Sequence, residues 1–227
     1  MRRAIGTAWK ILALSAILPL LTATVARGST TAAQWNMDEP TGTTMNDSSG
    51  NNNNGTTYNV TMGLAGFTVG TGAYGFNGSS SQVIVPNSAS LNPGSSNFAI
   101  IIHVKMTVRP GTGDFDYDVV RKGNSYKIEI FPHNGVAQAQ CVFKGVLTGT
   151  VMKANLHAGP DLVDGNWHTI TCQKTASTLV LVVDGGTYTK SVTLGSISNG
   201  KSLYLGSKPD NTDFFNGVLD DVTITSG

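Results

Sequence analysis

Charge is scarce in this chain. Asp, Glu, Lys and Arg make up 13% of its 227 residues, and they nearly cancel to a formal +1 at pH 7. A balance so close to neutral leaves no electrostatic footprint for nucleic acid or anionic lipid. No segment sustains a 3.6-residue apolar period, so helical bundles and helix-layered sheets are excluded. Catalytic signatures are also missing: there is no His-Glu-x-x-His, no Gly-x-Ser-x-Gly and no phosphate-cradling Gly loop ahead of a helix. The four histidines, His103, His133, His157 and His168, stand apart without metal-ligand spacing. Cysteine is limited to Cys141 and Cys172.

What is present begins at the N-terminus. Arg2, Arg3 and Lys10 precede the uncharged run "ILALSAILPLLTA", and small residues follow up to Ala26. This is the layout of a secretory signal peptide over residues 1–26. The alternative is a membrane anchor, but Pro19 inside the run and the small residues behind it favour cleavage. Removing residues 1–26 takes away three cations, so +1 becomes −2, and no membrane insertion is expected afterwards. The expected location is outside the cell, where the two cysteines form one disulfide. Both lie in strand-like runs, "AQAQCVFKG" and "HTITCQK", and neighbouring strands are the expected pairing.

Residues 27–33 read as a short flexible leader, and residues 34–227 as one domain. Period-two alternation recurs along that domain in runs such as "SQVIVP", "FAIIIHVKM", "SYKIEIF", "WHTITCQK" and "STLVLVV". The runs are broken by clusters of Gly, Asn, Ser and Asp, and the 27 Gly suit tight turns between strands. The fold class is therefore all-β: a two-sheet antiparallel jelly-roll sandwich.

The two ends carry acidic residues on otherwise apolar strands. In "QWNMDE", alternation puts Glu39 on the face of Trp35 and Met37, with Asp38 opposite. In "GVLDDVTI", it puts Asp220 on the face of Val218, Val222 and Ile224. A carboxylate carried toward a core needs a donor or a cation. "WNMDEPTGTTMNDSSGNNNNGT", "AYGFNGSSSQVIVP", "DGNWHTITCQK", "LVLVVDGG", "LYLGSK" and "FFNGVLDDVTI" follow in an order that resembles the laminin-G-like domains of the concanavalin A-like lectin/glucanase superfamily. The resemblance is closest to the single-domain subtype of secreted bacterial proteins. It implies adjacent first and last strands, and a structural Ca²⁺ near them. The oxygen-rich run "DSSGNNNNGT" supplies Asp47 and the amides of Asn51 to Asn54. The expected ligand set is Asp47, Asn52, Asp220, Glu39 and Asp38. The competing reading is an Asn-rich turn without metal.

A second acidic run, "DFDYDVV", alternates Asp114, Asp116 and Asp118. Retaining glucanases of the same superfamily carry Glu-x-Asp-x-x-Glu, and Glu is absent here, so solvated loop carboxylates are expected. Glu129 paired across strands with this run is the one arrangement that would reverse that expectation. Trp35 and Trp167 are expected in the core. Tyr58, Phe67, Tyr117, Tyr126, Tyr188, Phe214 and Phe215 are the aromatics left for a surface. The expected function is non-catalytic binding of a glycan or an extracellular protein. The alternatives are a glycanase or polysaccharide lyase, and a structural module of a cell envelope or extracellular assembly.

Overall fold

The computed structural model describes residues 28–68, 71–111 and 115–227; the expected signal peptide and Asp114 lie outside them. The strands are β1 (Thr30–Trp35), β2 (Thr44–Met45), β3 (Gly55–Tyr58), β4 (Tyr74–Asn77), β5 (Gln82–Val85), β6 (Phe98–Lys105), β7 (Tyr117–Lys122), β8 (Tyr126–His133), β9 (Val136–Leu147), β10 (Thr150–Ala158), β11 (Trp167–Lys174), β12 (Thr178–Val183), β13 (Gly186–Ser191), β14 (Leu203–Leu205) and β15 (Asn216–Ser226). The expected all-β sandwich is present. Seven strands form one antiparallel sheet, β1-β15-β6-β11-β12-β13, with β4 also on β15. Eight form the other, β10-β9-β8-β7-β14-β5-β3-β2. Residues 30–33 were expected in a leader. They are instead four of the six residues of β1, paired with β15 from Thr30↔Ser226 onward.

Local chemistry sets these hairpins. Asn134-Gly135, Thr148-Gly149 and Asp184-Gly185 each have positive φ at both positions, between paired residues of β8/β9, β9/β10 and β12/β13. Two-residue turns of this kind match the right-handed twist of the strands they join. Alternation then fills the core: Phe98, Ile100, Ile102 and Val104 of β6 are buried opposite Tyr126, Ile128 and Ile130 of β8. Phe98 packs on Tyr126 and Phe143 with ring centroids 4.8 and 6.2 Å apart. Each such ring buries enough apolar surface to be worth about 2–3 kcal/mol.

Cys141 and Cys172 are bonded, Cα to Cα 5.6 Å. The partners are not neighbouring strands, because β9 belongs to the eight-stranded sheet and β11 to the seven-stranded one. Both side chains point inward from facing sheets, so the bridge crosses the core.

Candidate functional site

The chain-end acids come first. β15 has a bulge between Asp220 and Thr223, with Asp221 at φ 46°. An inserted residue shifts the alternation by one. Leu219, Val222 and Ile224 therefore face the core, and Asp220 lies opposite His103 on the outside of the seven-stranded sheet. The expected grouping of Asp220 with Val218, Val222 and Ile224 is corrected accordingly. Asp220 is fully buried all the same, because the Gly66–Phe67 segment covers it. Phe67 N–H donates to its Oδ2 at 2.7 Å, Asp221 N–H to its Oδ1 at 2.8 Å, and the Phe67 ring stacks on His103 at 3.9 Å. A Cβ on Gly66 would come within 2.9 Å of Oδ2, so the covering segment needs glycine there. Burial, aided by repulsion from Asp221 and Asp38, pushes the Asp220 carboxyl up to about 6. Burial and Asp38 also raise Asp221. Among the described residues, none of these three acids forms an ion pair.

The remaining expected ligands are committed elsewhere. Asp47 accepts the backbone N–H groups of Gln34, Ser49 and Asn53 at 2.8–2.9 Å and the Ser49 hydroxyl at 2.9 Å. Those donors overcome burial and hold its pKa low. Glu39 accepts from Asn46 twice and from the Tyr74 hydroxyl at 2.5 Å. Burial opposes its charge, but these bonds lower its pKa. Asn52 is exposed at φ 58°. The five residues do not gather into one oxygen cage, and the Asn run has another task. Asn53 is buried, accepts Trp35 Nε1–H at its carbonyl, and donates from Nδ2 to Ala32 O and Ser90 Oγ. Asn51 donates to Thr31 O, and Asn54 accepts Asp47 N–H. "DSSGNNNNGT" is thus a hydrogen-bonded seam that sews β1 to the loop ahead of β6.

The second acidic run is not a solvated loop. Asp118 is the second residue of β7, is fully buried and lies directly opposite Glu129 of β8 on the outer face of the eight-stranded sheet. That is the cross-strand pair singled out from the sequence as decisive. Asp116, Asp118 and Asp213 bring carboxylate oxygens within 4.8 Å of one another. Three cations answer them. Arg121 Nη1 lies 2.8 Å from Asp118, Lys127 pairs with Asp116 and Glu129, and Lys208 pairs with Asp213. Burial raises Asp118 despite Lys127 and Arg121, and burial with Asp116 beside it takes Asp213 to about 6. Along the chain into β7 the order is Asp116-x-Asp118-x-x-Arg121, so a guanidinium stands where the glucanase pattern has its third carboxyl.

Registers extend this face across the sheet. Thr56, Ile84, Tyr204, Arg121, Lys127, Val142 and Asn155 form one continuous row of opposite residues from β3 to β10. Asp118, Glu129, Gln140 and His157 form the next row. Phe131, His133 and His157 cluster beyond it, with centroids 4.5–6.4 Å apart. Beside the β7–β8 turn an open cleft of about 570 Å³ runs from Arg121 and Asn124 to Lys201, Tyr204 and Lys208. The aromatic expectations divide. Trp35 is core, but Trp167 is half-buried against the edge of Phe67. Tyr126 and Phe215 are buried, whereas Tyr58, Phe67 and Tyr188 remain exposed. Sequence reasoning missed Lys122 altogether. It is fully buried, and its ammonium donates to five oxygens of Asn87, Asn92, Asn199 and Lys201.

Two antiparallel sheets with the first and last strands side by side define a lectin-type jelly roll. The chain belongs to the concanavalin A-like lectin/glucanases superfamily, whose laminin G family model matches residues 77–227. Among solved structures it is similar to the binding domain of Paraclostridial Mosquitocidal Protein 1 (19% identity, 86% of this chain, 48% of that one, TM-score 0.65). It is also similar to domain 4 of AbnA, a GH43 extracellular arabinanase from Geobacillus stearothermophilus, in complex with arabinotriose (14% identity, 88% and 93% covered, TM-score 0.61). A third is the binding domain of Botulinum Neurotoxin DC in complex with SialylT (15% identity, 86% and 47% covered, TM-score 0.57). This chain thus spans about half the length of the two toxin domains, and identities this low show the fold alone. Comparison with curated protein sequences yields no match. No described helix is long and apolar enough to cross a membrane.

Proposed function

We propose that this chain is a secreted, non-catalytic module that binds an extracellular glycan on the outer face of the eight-stranded sheet. The observation that carries the reading is the open cleft beside the β7–β8 turn. Its lining combines the amide of Asn124, the hydroxyl of Ser202 and the ring of Tyr204. Sugar hydroxyls require such polar partners, and a sugar ring face packs on an aromatic. The arabinotriose and SialylT complexes of fold relatives lend the glycan reading support. In this reading residues 1–26 are a signal peptide. A structural Ca²⁺ is placed by this reading beside Asp38, Asp220 and Asp221, acids that repel one another and form no ion pair with Lys or Arg among the described residues; Asp47, Asn52 and Glu39 are not part of that set. A glycan array probed in Ca²⁺ and in chelator tests the proposal. Capture of at least one glycan supports it, and a protein that binds none refutes it.

The enzyme is the second reading, favoured by Asp118 opposite Glu129 and by the raised Asp213. Glycoside hydrolysis requires two carboxyls some 5–10 Å apart across a bound sugar. Here the carboxyls are buried and covered by Arg121, Lys127 and Lys208, which is the arrangement of a structural ion network. New reducing ends from a polysaccharide panel, lost in Glu129→Gln or Asp116→Asn, would establish the enzyme instead.

A further inference from the structure

We propose that the groove around the β7–β8 turn binds the acidic groups, carboxylate or sulfate, of a polysaccharide chain. The inference rests on the glycan-binding reading above and adds the charge of the ligand. Three adjoining clefts share Asn124 at the turn. Arg121, Lys201 and Lys208 border the first, Lys127, Lys144 and Lys153 the second, and Lys144 and Lys201 the third. Asp210 is the one acid among their lining residues. A chain of nearly balanced charge has therefore gathered more than half of its described cationic side chains along one groove.

These cations fall into two sets. Arg121, Lys127 and Lys208 are neutralised by Asp118, Glu129 and Asp213. Lys144, Lys153 and Lys201 have no carboxylate within ion-pair distance among the described residues. Lys144 and Lys153 are moreover direct cross-strand partners in the β9–β10 register. Like charges directly opposite each other destabilise an antiparallel pair. Arg121 and Lys127 are also opposite, but there the acid row lies alongside. The Lys144–Lys153 repulsion has no such relief within the fold, and an anion bridging the two ammoniums removes it. The spread of Lys153, Lys144 and Lys201 over adjoining clefts suits repeated charges on a polymer better than one small anion. Ser196, Ser198 and Asn124 between them provide hydroxyl and amide partners for sugar. Tyr204 is the sole aromatic surface in these linings, since Tyr126 is buried. Single-stranded nucleic acid requires several stacking platforms, so it fits poorly.

Affinity electrophoresis or calorimetry with polygalacturonate, dextran sulfate and neutral dextran tests the proposal. At least one acidic polymer should bind tenfold or more tighter than dextran, with affinity falling as NaCl rises. The polymer that binds identifies carboxylate or sulfate as the recognised group. Lys144→Ala with Lys153→Ala should weaken binding about tenfold and flatten the salt dependence by about one to two ions. Lys105→Ala, on the other sheet, should change nothing. Lys153→Glu should abolish binding without lowering Tm, because Glu opposite Lys144 is a favourable pair; that separates a lost site from a lost fold. Acidic polymers bound no tighter than dextran, or a double variant with unaltered affinity, would overturn the proposal. So would a single-stranded oligonucleotide bound as tightly through the same lysines. Binding of neutral glycans alone leaves the glycan module standing and removes this inference, whereas no glycan binding removes both.

Discussion

Replacing Lys122 by Met takes one ammonium out of a cage of oxygens. The Nζ atom donates to Asn87 Oδ1 at 2.8 Å, Asn92 Oδ1 at 3.1 Å, Asn199 O at 2.9 Å, Asn199 Oδ1 at 3.1 Å and Lys201 O at 3.0 Å. These acceptors come from two loops, one ahead of β6 and one ahead of β14, so the lysine joins three segments at a point. Burial draws its pKa down to about 8, which still leaves it charged at pH 7. Hydrogen bonds from a charged donor contribute about 1.5–3 kcal/mol each, but water reaches some acceptors once the donor is gone. Removing one partner from a buried charged network costs about 3–5 kcal/mol, and Met fills nearly the same volume, so cavity formation adds little. For a domain of about 200 residues that corresponds to a fall in Tm of about 6–20 °C. Calorimetry at pH 7 on both proteins measures it. Adding Asn87→Ala to the variant should cost less than it does in the wild type, since its partner is already gone. A Tm drop below about 2 °C, or full additivity with Asn87→Ala, would refute the argument that the cage holds the loops together.

Cys141→Ala with Cys172→Ala opens a bridge of sequence separation 31; loop-entropy arithmetic puts the loss at about 3–4 kcal/mol, read as a shift in urea midpoint. A shift near zero would mean that the sheets are aligned without it. His168 donates from Nδ1 to Asp184 at 2.7 Å and, as the imidazolium, from Nε2 to Asp164 at 3.0 Å. Burial works against its charge, but these carboxylates win and hold its pKa above the usual value near 6.5. The stability it contributes is therefore complete below about 6.5 and is lost as pH rises through the folded value. His168→Gln should then destabilise more at pH 5.5 than at pH 8.5, and equal losses at both would contradict the assignment. Asp221→Asn should raise Tm in EDTA, because it removes a half-buried carboxylate repelled by Asp38 and Asp220. In excess Ca²⁺ it should lose the metal-dependent rise that the wild type shows, about 2.7 kcal/mol at a hundredfold Kd. Coincident wild-type melting curves in Ca²⁺ and EDTA would remove calcium from the reading.

The sequence by itself determined the strands and their class. "WHTITCQK" is β11 residue for residue, and "FAIIIHVKM" overruns β6 by one, because strict alternation on a two-faced strand leaves no other periodic solution. The two cysteines had only each other to pair with. The short β2 and β3 escaped notice, since two and four residues cannot display a period. Only the tertiary structure decided which residues meet. Alternation says which side chains share a face, but one bulged residue at Asp221 sends Asp220 out of the core, and no local signal marks that insertion. The same limit hid Asp118 opposite Glu129, Lys144 opposite Lys153, the bridge between sheets and the oxygen cage of Lys122. Each depends on register or on loop closure between segments far apart in the chain. Period-two patterning constrains a strand against its own face, whereas partners are chosen by the packing of the whole sandwich.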